Sequence, residues 1–317
     1  MSRLDFEKPI IDLEHKIRDL RNLETNKHVN IAPEIKKLED KLSKLRTQVY
    51  GNLTPWQRIQ IARHPDRPYT LDYIRMIADD FVELHGDRLF ADDYALIAGF
   101  ATIDKQRVMI MGHQKGRDIK ENVMRNFGCA HPEGYRKALR LMKLAEKFHL
   151  PILVFIDTPG AYPGIGAEER GQAQAIATNL MEMSEVATPI IAYVIGEGGS
   201  GGALGIGVAN RVAILQHAYY SVISPEGCAS ILWRSSARAS DAAKALKIMG
   251  EDLLEFGMVD EVIEEPLGGA HRDPEPVAAA IKKSAIKHFK KLATLSREEI
   301  LSERYERFRK IGKFQEG

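Results

Sequence analysis

Apolar residues recur at spacings of three and four near the N-terminus and in unbroken runs further on, and the change of pattern divides the chain. Ile31, Ile35, Leu38, Leu42, Leu45 and Val49 form one stripe of an amphipathic helix. Ile10, Leu13, Ile17 and Leu20 predict an earlier helix, so the segment reads as a helical hairpin, docked on the chain's own body or on a partner. Thr54-Pro55 marks a helix start, a capping hydroxyl followed by proline at the first helical position. Thr70 with Leu71 to Leu84 predicts another helix, ending near Gly86. Ala95 to Ile103 and Arg107 to Gly112 read as two strands joined by a turn near Asp104–Gln106, and a helix covers Gly134 to Phe148.

The middle of the chain repeats itself. Pro151 leads an unbroken apolar run to Ile156, then a loop, Asp157 to Gly166, then a helical stretch, Glu168 to Val186. Pro189 leads a second run to Ile195, then the loop Gly196 to Gly202, then a helix from Ala203 to Val208. The leading prolines are 189 − 151 = 38 residues apart, and so are Gly164 and Gly202. A doubled strand–loop–helix unit predicts an α/β layered core. Arg211–Leu215, Tyr219–Ile223 and Met258–Ile263 predict further strands, and Glu275 to Phe308 two charged helices. The division expected is a helical hairpin over 1–52, a core over 53–265 and terminal helices over 266–317.

Charge narrows the classes. Lys plus Arg is 45 and Asp plus Glu 44, which gives no overall excess of positive charge for nucleic acid. Two cysteines, Cys129 and Cys228, argue against a disulfide framework or an in-chain structural zinc, so no metal is expected. Met1 to Ile10 lacks the apolar run of a secretion signal, and no stretch reaches the roughly 20 apolar residues of a membrane span, so the expected setting is cytoplasmic.

Gly196-Glu197-Gly198-Gly199-Ser200-Gly201-Gly202 is the densest chemical signal. Glycine lets a backbone approach a ligand closely, and the first amides of a following helix have no partner within it. Such donors stabilise a developing oxyanion. A Walker-type loop needs Lys-Ser or Lys-Thr after the last glycine, and Ala203-Leu204 stands there instead. The G-x-S-x-G pattern around Ser200 admits a serine hydrolase, with Asp241 or Asp260 and then His271 as later partners. Ser200 reads more simply as a loop former. Asp157-Thr158-Pro159-Gly160-Ala161-Tyr162-Pro163-Gly164 predicts a rigid wall, with Tyr162 covering an apolar ring or filling a notch and Asp157 bonding loop amides. His113 to Arg117 brings two positive charges to a strand end, facing an anion or solvent. Ser224-Pro225-Glu226 is a helix cap, and Cys228 a small buried residue.

Together these blocks resemble one family. DTPGAYPG from Asp157, GAEERG from Gly166, IGEGGSGGA from Ile195, YSVISPEGCASILW from Tyr220 and EPLGGAH from Glu265 are similar to the alpha subunit of bacterial acetyl-CoA carboxylase carboxyltransferase. So are ARHPDRPYTLDY from Ala62, GHQKGR from Gly112 and PEGYRKALRLM from Pro132. The resemblance implies a crotonase-like superhelix of repeated ββα units, and transfer of carboxyl from carboxybiotin on the biotin carboxyl carrier protein to acetyl-CoA, giving malonyl-CoA for fatty acid synthesis. It implies that Gly201 and Gly202 supply catalytic amides, and that Gly160, Ala161, Tyr162, Gly164, Gly198 and Gly199 line the cofactor. It also implies an α2β2 assembly with a beta subunit that bears a four-cysteine zinc site, working alongside biotin carboxylase. Two further rivals are a non-catalytic scaffold and a stand-alone acyl-CoA hydratase.

Overall fold

A computed structural model describes residues 4–27 and 31–312. The hairpin is present: α1 (Lys8–Lys27) and α2 (Ala32–Tyr50). It docks on the chain's own body. Leu4, Ile10 and Tyr50 pack against Ile61 of α3 (Pro55–Ala62), and Arg272 Nη1 donates to Glu14 at 2.9 Å. The cap of α3 is reciprocal, with Gln57 N donating to Thr54 Oγ1 at 3.2 Å and Thr54 N to Gln57 Oε1 at 2.8 Å.

The helix expected from Thr70 to Leu84 stops early. It forms α4 (Thr70–Ile77), and the chain passes directly into β1 (Asp79–Glu83), which is irregular at Asp80, φ 52°. Pairing decides this. β1 lies antiparallel on β2 (Leu96–Ile103), and Gly99 lets it approach so closely that a Cβ there would stand 2.2 Å from the Val82 carbonyl. β2 returns through Asp104 and Lys105, both at positive φ, into β3 (Gln106–His113).

From β3 onward the ladder is parallel: β4 (Ile152–Thr158), β5 (Ile190–Gly199), β6 (Arg211–Leu215) and β8 (Glu261–Ile263) follow in spatial order. Met109 pairs with Ile152, and Ile152 with Ile190. Every residue of β4 and β5 is buried, as the unbroken apolar runs require. α5 (Ile119–Met124) and α6 (Pro132–Lys147) link β3 to β4, and α6 lies against α8 (Gln172–Glu185), which follows α7 (Ile165–Glu169). The single helix expected from Glu168 to Val186 is therefore two, broken where Gly171 takes φ 80°.

The glycine segment also differs from its expected form. β5 runs on through Gly196 to Gly199, and residues 197–199 pair with β7 (Tyr219–Ser221). α9 (Ser200–Leu204) starts three residues before Ala203 and ends well short of Val208. α10 (Pro225–Trp233), α11 (Ala239–Leu246) and α12 (Gly250–Glu255) cover this edge. α13 (Pro274–Leu292) and α14 (Arg297–Arg309) close the chain. Buried Arg304 of α14 donates to the carbonyls of Met183, Val186 and Thr188 at 2.6 to 2.8 Å, tying the last helix to the core.

Candidate active site at two glycine turns

The carboxyl ends of parallel strands are where an α/β sheet presents ligand-binding loops. Here the turn after β4 meets the turn after β5. A Cβ built on Gly202 would lie 2.5 Å from the Ala161 nitrogen and 2.5 Å from the Gly160 carbonyl carbon. One built on Gly199 would lie 2.2 Å from the Pro159 oxygen. Glycine at 199 and 202 is therefore what lets the two backbones touch.

The amides of Ala161, Gly201 and Gly202 donate to no group among the described residues. Their neighbours are tied down: Gly160 N bonds Thr158 Oγ1 at 3.1 Å, and Tyr162 N bonds the Ala130 carbonyl at 3.1 Å. α9 is held from below by Asn179, whose Nδ2 donates to the Gly205 carbonyl at 2.8 Å and to that of Tyr135 at 2.9 Å. With five residues, α9 has little macrodipole. The individual N–H groups, fixed by the turn, are the available donors. Ser200 enters the helix at φ 49°, a strained value for a residue with a side chain.

A cavity of 490 Å³ opens beside Gly201. Leu204, Tyr220, Val222, Ile248, Phe256 and Phe308 make its wall predominantly apolar. Phe308 belongs to α14, so the terminal helix closes a cavity that begins at the glycine turn.

The remaining expected site residues separate by environment. Gly198 packs under the Tyr220 ring, 2.8 Å from a built Cβ, and Gly164 packs under Tyr162 at 2.4 Å. Tyr162 itself stacks on His131, centroids 4.0 Å apart, so its ring is engaged inside the chain. Asp157 does bond a loop amide, accepting from Glu197 N at 2.9 Å. The two charges after β3 part company: Lys115 turns inward to Asp157 and Glu197, whereas Arg117 stays exposed and pairs with Asp72 over the Tyr69 ring. Cys228 is buried, and Ser224 caps α10 as expected, accepting from Gly227 N at 3.1 Å.

No histidine nitrogen bonds Ser200 among the described residues, and His271 lies instead against Glu7 at 3.3 Å, stacked on His64. The nucleophile–base pair of a serine hydrolase is thus not assembled. Glu7, His64 and His271 bring one donor atom each within 4.8 Å, a grouping that spacing alone does not reveal because its outer members are 264 residues apart. Arg63 and Arg67 were also missed by sequence reasoning. Arg67 is buried and grips Glu265 bidentately at 2.8 and 2.6 Å while donating to the Ile195 carbonyl at 2.8 Å.

Residues 3–312 match the family model described as acetyl co-enzyme A carboxylase carboxyltransferase-like. The chain is 54% identical over 314 residues to the acetyl-coenzyme A carboxylase carboxyl transferase subunit alpha of Geobacter metallireducens, covering 99% of this chain and 98% of that one. Its counterpart from Staphylococcus epidermidis is 57% identical over 309 residues, 98% of each chain. Among solved structures, a transcarboxylase 12S chain superposes with TM-score 0.58 at 22% identity, covering 73% of this chain and 43% of that one. The beta subunit of Pseudomonas aeruginosa geranyl-CoA carboxylase gives 0.57 at 14%, covering 77% and 46%. The chain thus spans less than half the length of these two larger chains, which share its crotonase-like fold.

Proposed function

The chain belongs to the acetyl-CoA carboxylase carboxyltransferase family, on the alpha-subunit side, and from that premise we propose that its two facing glycine turns hold the negative oxygen that develops during carboxyl transfer. The observation that carries this reading is the set of unengaged amides at Ala161, Gly201 and Gly202, brought together where two backbones touch.

The donor set fits carboxybiotin. A ureido ring needs N–H donors at its oxygen and an apolar bed for its fused rings, and Gly201 stands at the mouth of a cavity walled by Leu204, Tyr220 and Phe308. In this reading Gly201 and Gly202 donate to the oxygen. Ala161 adds a third donor, and Gly160, Tyr162, Gly164, Gly198 and Gly199 form the wall behind it. Carboxybiotin supplies the carboxyl group and a basic ureido edge. The chain's own part is electrostatic: amides fixed before the reaction stabilise charge on oxygen without reorganising, where loss of one donor typically costs 10²–10³ in rate. In this reading the ureido edge takes the proton, so no side-chain base is required.

A beta chain supplies the acetyl-CoA side and a four-cysteine zinc site, in an α2β2 assembly served by biotin carboxylase and the biotin carrier. The setting is the cytoplasm; among the described residues no helix is long and apolar enough to cross a membrane. The division into 1–52, 53–265 and 266–317 belongs to the same proposal, with the terminal helices shaping the cavity.

Reconstitution tests the reading. Mixed with a beta chain, the protein is expected to transfer carboxyl between malonyl-CoA and biotin, and to be inactive alone. Hydratase turnover by the lone chain, or transfer by the beta chain without it, would overturn the assignment.

A further inference from the structure

Directly behind the glycine turns runs a chain of buried charges that the proposed function leaves unused. Lys115 follows the end of β3, Asp157 lies at the end of β4, and Glu197 lies near the end of β5. One ammonium joins all three strand ends. Lys115 Nζ stands 2.7 Å from Asp157 Oδ1 and 2.9 Å from Glu197 Oε1. Asp157 Oδ1 also accepts the Glu197 amide at 2.9 Å, which closes a ring of contacts. On its other side the Glu197 carboxylate takes Arg63 Nε at 2.7 Å and the Tyr219 hydroxyl at 2.6 Å. Gly128, at φ 80°, covers the lysine stem: a Cβ there would meet Lys115 Cγ at 2.9 Å.

The side chains of Lys115, Asp157 and Glu197 are 12%, 3% and 9% exposed. Burying three charges is costly, and an apolar trio of similar volume holds strands together as well or better. What the ionic trio adds is a fixed distance in a fixed direction. Ala161 follows Asp157 by four residues, and Gly201 and Gly202 follow Glu197 by four and five. The lysine thus pins the roots of both amide-bearing turns to one point. It has no room for a substrate role, because its ammonium is enclosed by two carboxylates. Glu197 is equally committed. Burial would raise its pKa, but Lys115 and Arg63 outweigh that and hold it down to about 2, so it carries no proton at any working pH.

We propose that Lys115, through Asp157 and Glu197, is a positioning residue that sets the spacing between the two amide-bearing turns and so acts on carboxyl transfer without touching substrate. This rests on the reading of those turns as the oxygen-holding site.

The test uses the full chain assembled with a beta partner, assayed for carboxyl transfer from malonyl-CoA to free biotin. The wild-type assembly is measured first, and its failure to transfer removes the underlying reading whatever the variants do. With wild type active, Lys115→Met is expected to lower kcat about 100-fold, the loss typical of a displacement near 1 Å, while KM for malonyl-CoA stays within about threefold and the assembly forms. Glu197→Gln, which keeps volume but removes the charge and one acceptor oxygen, is expected to lose about tenfold in kcat with the same unchanged KM. A folded Lys115→Met assembly with near-wild-type kcat overturns the proposal. So does a kcat loss accompanied by a raised KM and impaired assembly, the signature of a merely structural role. Should Lys115→Met fail to fold, Glu197→Gln decides alone: wild-type kcat overturns the proposal, and a kcat loss at constant KM supports it.

Discussion

Adding one methyl group to either of two adjacent glycines separates contact between the turns from flexibility of the loop. At Gly202 a Cβ would stand 2.5 Å from both the Ala161 nitrogen and the Gly160 carbonyl carbon. Non-bonded heavy atoms need about 3.5 Å, so the turns must part by roughly 1 Å. Both obstacles are backbone, held by the Thr158 hydroxyl and the Ala130 carbonyl, so neither can swing aside as a side chain would. Overpacking of this kind costs about 1–3 kcal/mol. A 1 Å shift of positioning groups costs about 100-fold in rate. At Gly201 the same methyl meets only Ile176, at 3.9 Å, which is ordinary contact. Gly202→Ala is therefore expected to fold with a lowered urea midpoint and to lose about 100-fold in kcat for carboxyl transfer with a beta partner. Gly201→Ala is expected to match wild type in stability and to stay within about threefold in kcat. Equal activity in the two variants, or a Gly201→Ala enzyme as damaged as Gly202→Ala, would refute the reasoning.

Three other outcomes follow from the structure. Arg67→Met leaves the buried Glu265 carboxylate unpaired and is expected to cost about 3–5 kcal/mol by urea unfolding, much of it recovered in Arg67→Met with Glu265→Leu; a single-variant loss under about 1 kcal/mol would contradict the pairing. Acid is expected to destabilise the fold in two stages. Burial lowers His113 to about 3 and His217 to about 4 from 6.5, so both stay neutral in the fold while the unfolded chain takes up protons below pH 6.5. Glu7, Glu197 and Glu265 are held near 2 against burial by their hydrogen bonds and facing cations, so their contribution is present above pH 4.5 and is lost as pH falls toward 2. The signs agree, and an unfolding free energy constant from pH 7 to pH 4 would disprove the assignment. Ser200→Ala is expected to retain carboxyl transfer, and wild type to resist a serine-directed phosphonate; a dead variant together with labelling would restore the hydrolase reading.

Much of this architecture is legible in the sequence because two patterns are strong. The leading prolines and apolar runs fix β4 and β5, and the spacing of three and four fixes the hairpin and its apolar stripe. What the sequence hides is set by tertiary pairing. Asp79–Glu83 carries on from a helical stretch, yet the close approach at Gly99 makes it a strand. Gly196–Gly199 has loop composition, yet pairing with Tyr219–Ser221 draws it into β5. The glycines at 201 and 202 are visible as a site, but not their difference: a Cβ at one meets a side chain at ordinary contact distance and at the other a backbone. Lys115 reads as facing an anion or solvent, and Arg63 draws no reading, because their partners lie 42 to 163 residues away in the chain. Charge alone does not say which carboxylate a cation meets.

The central claim concerns where three N–H groups point, and a crystal structure of the chain assembled with its beta partner and bound biotin tests it most directly. The account predicts the ureido oxygen within about 3.2 Å of the Gly201 or Gly202 nitrogen, with its rings on the Tyr220–Phe308 side. Biotin bound elsewhere, or those amides bonded to protein groups in the assembled enzyme, would contradict it.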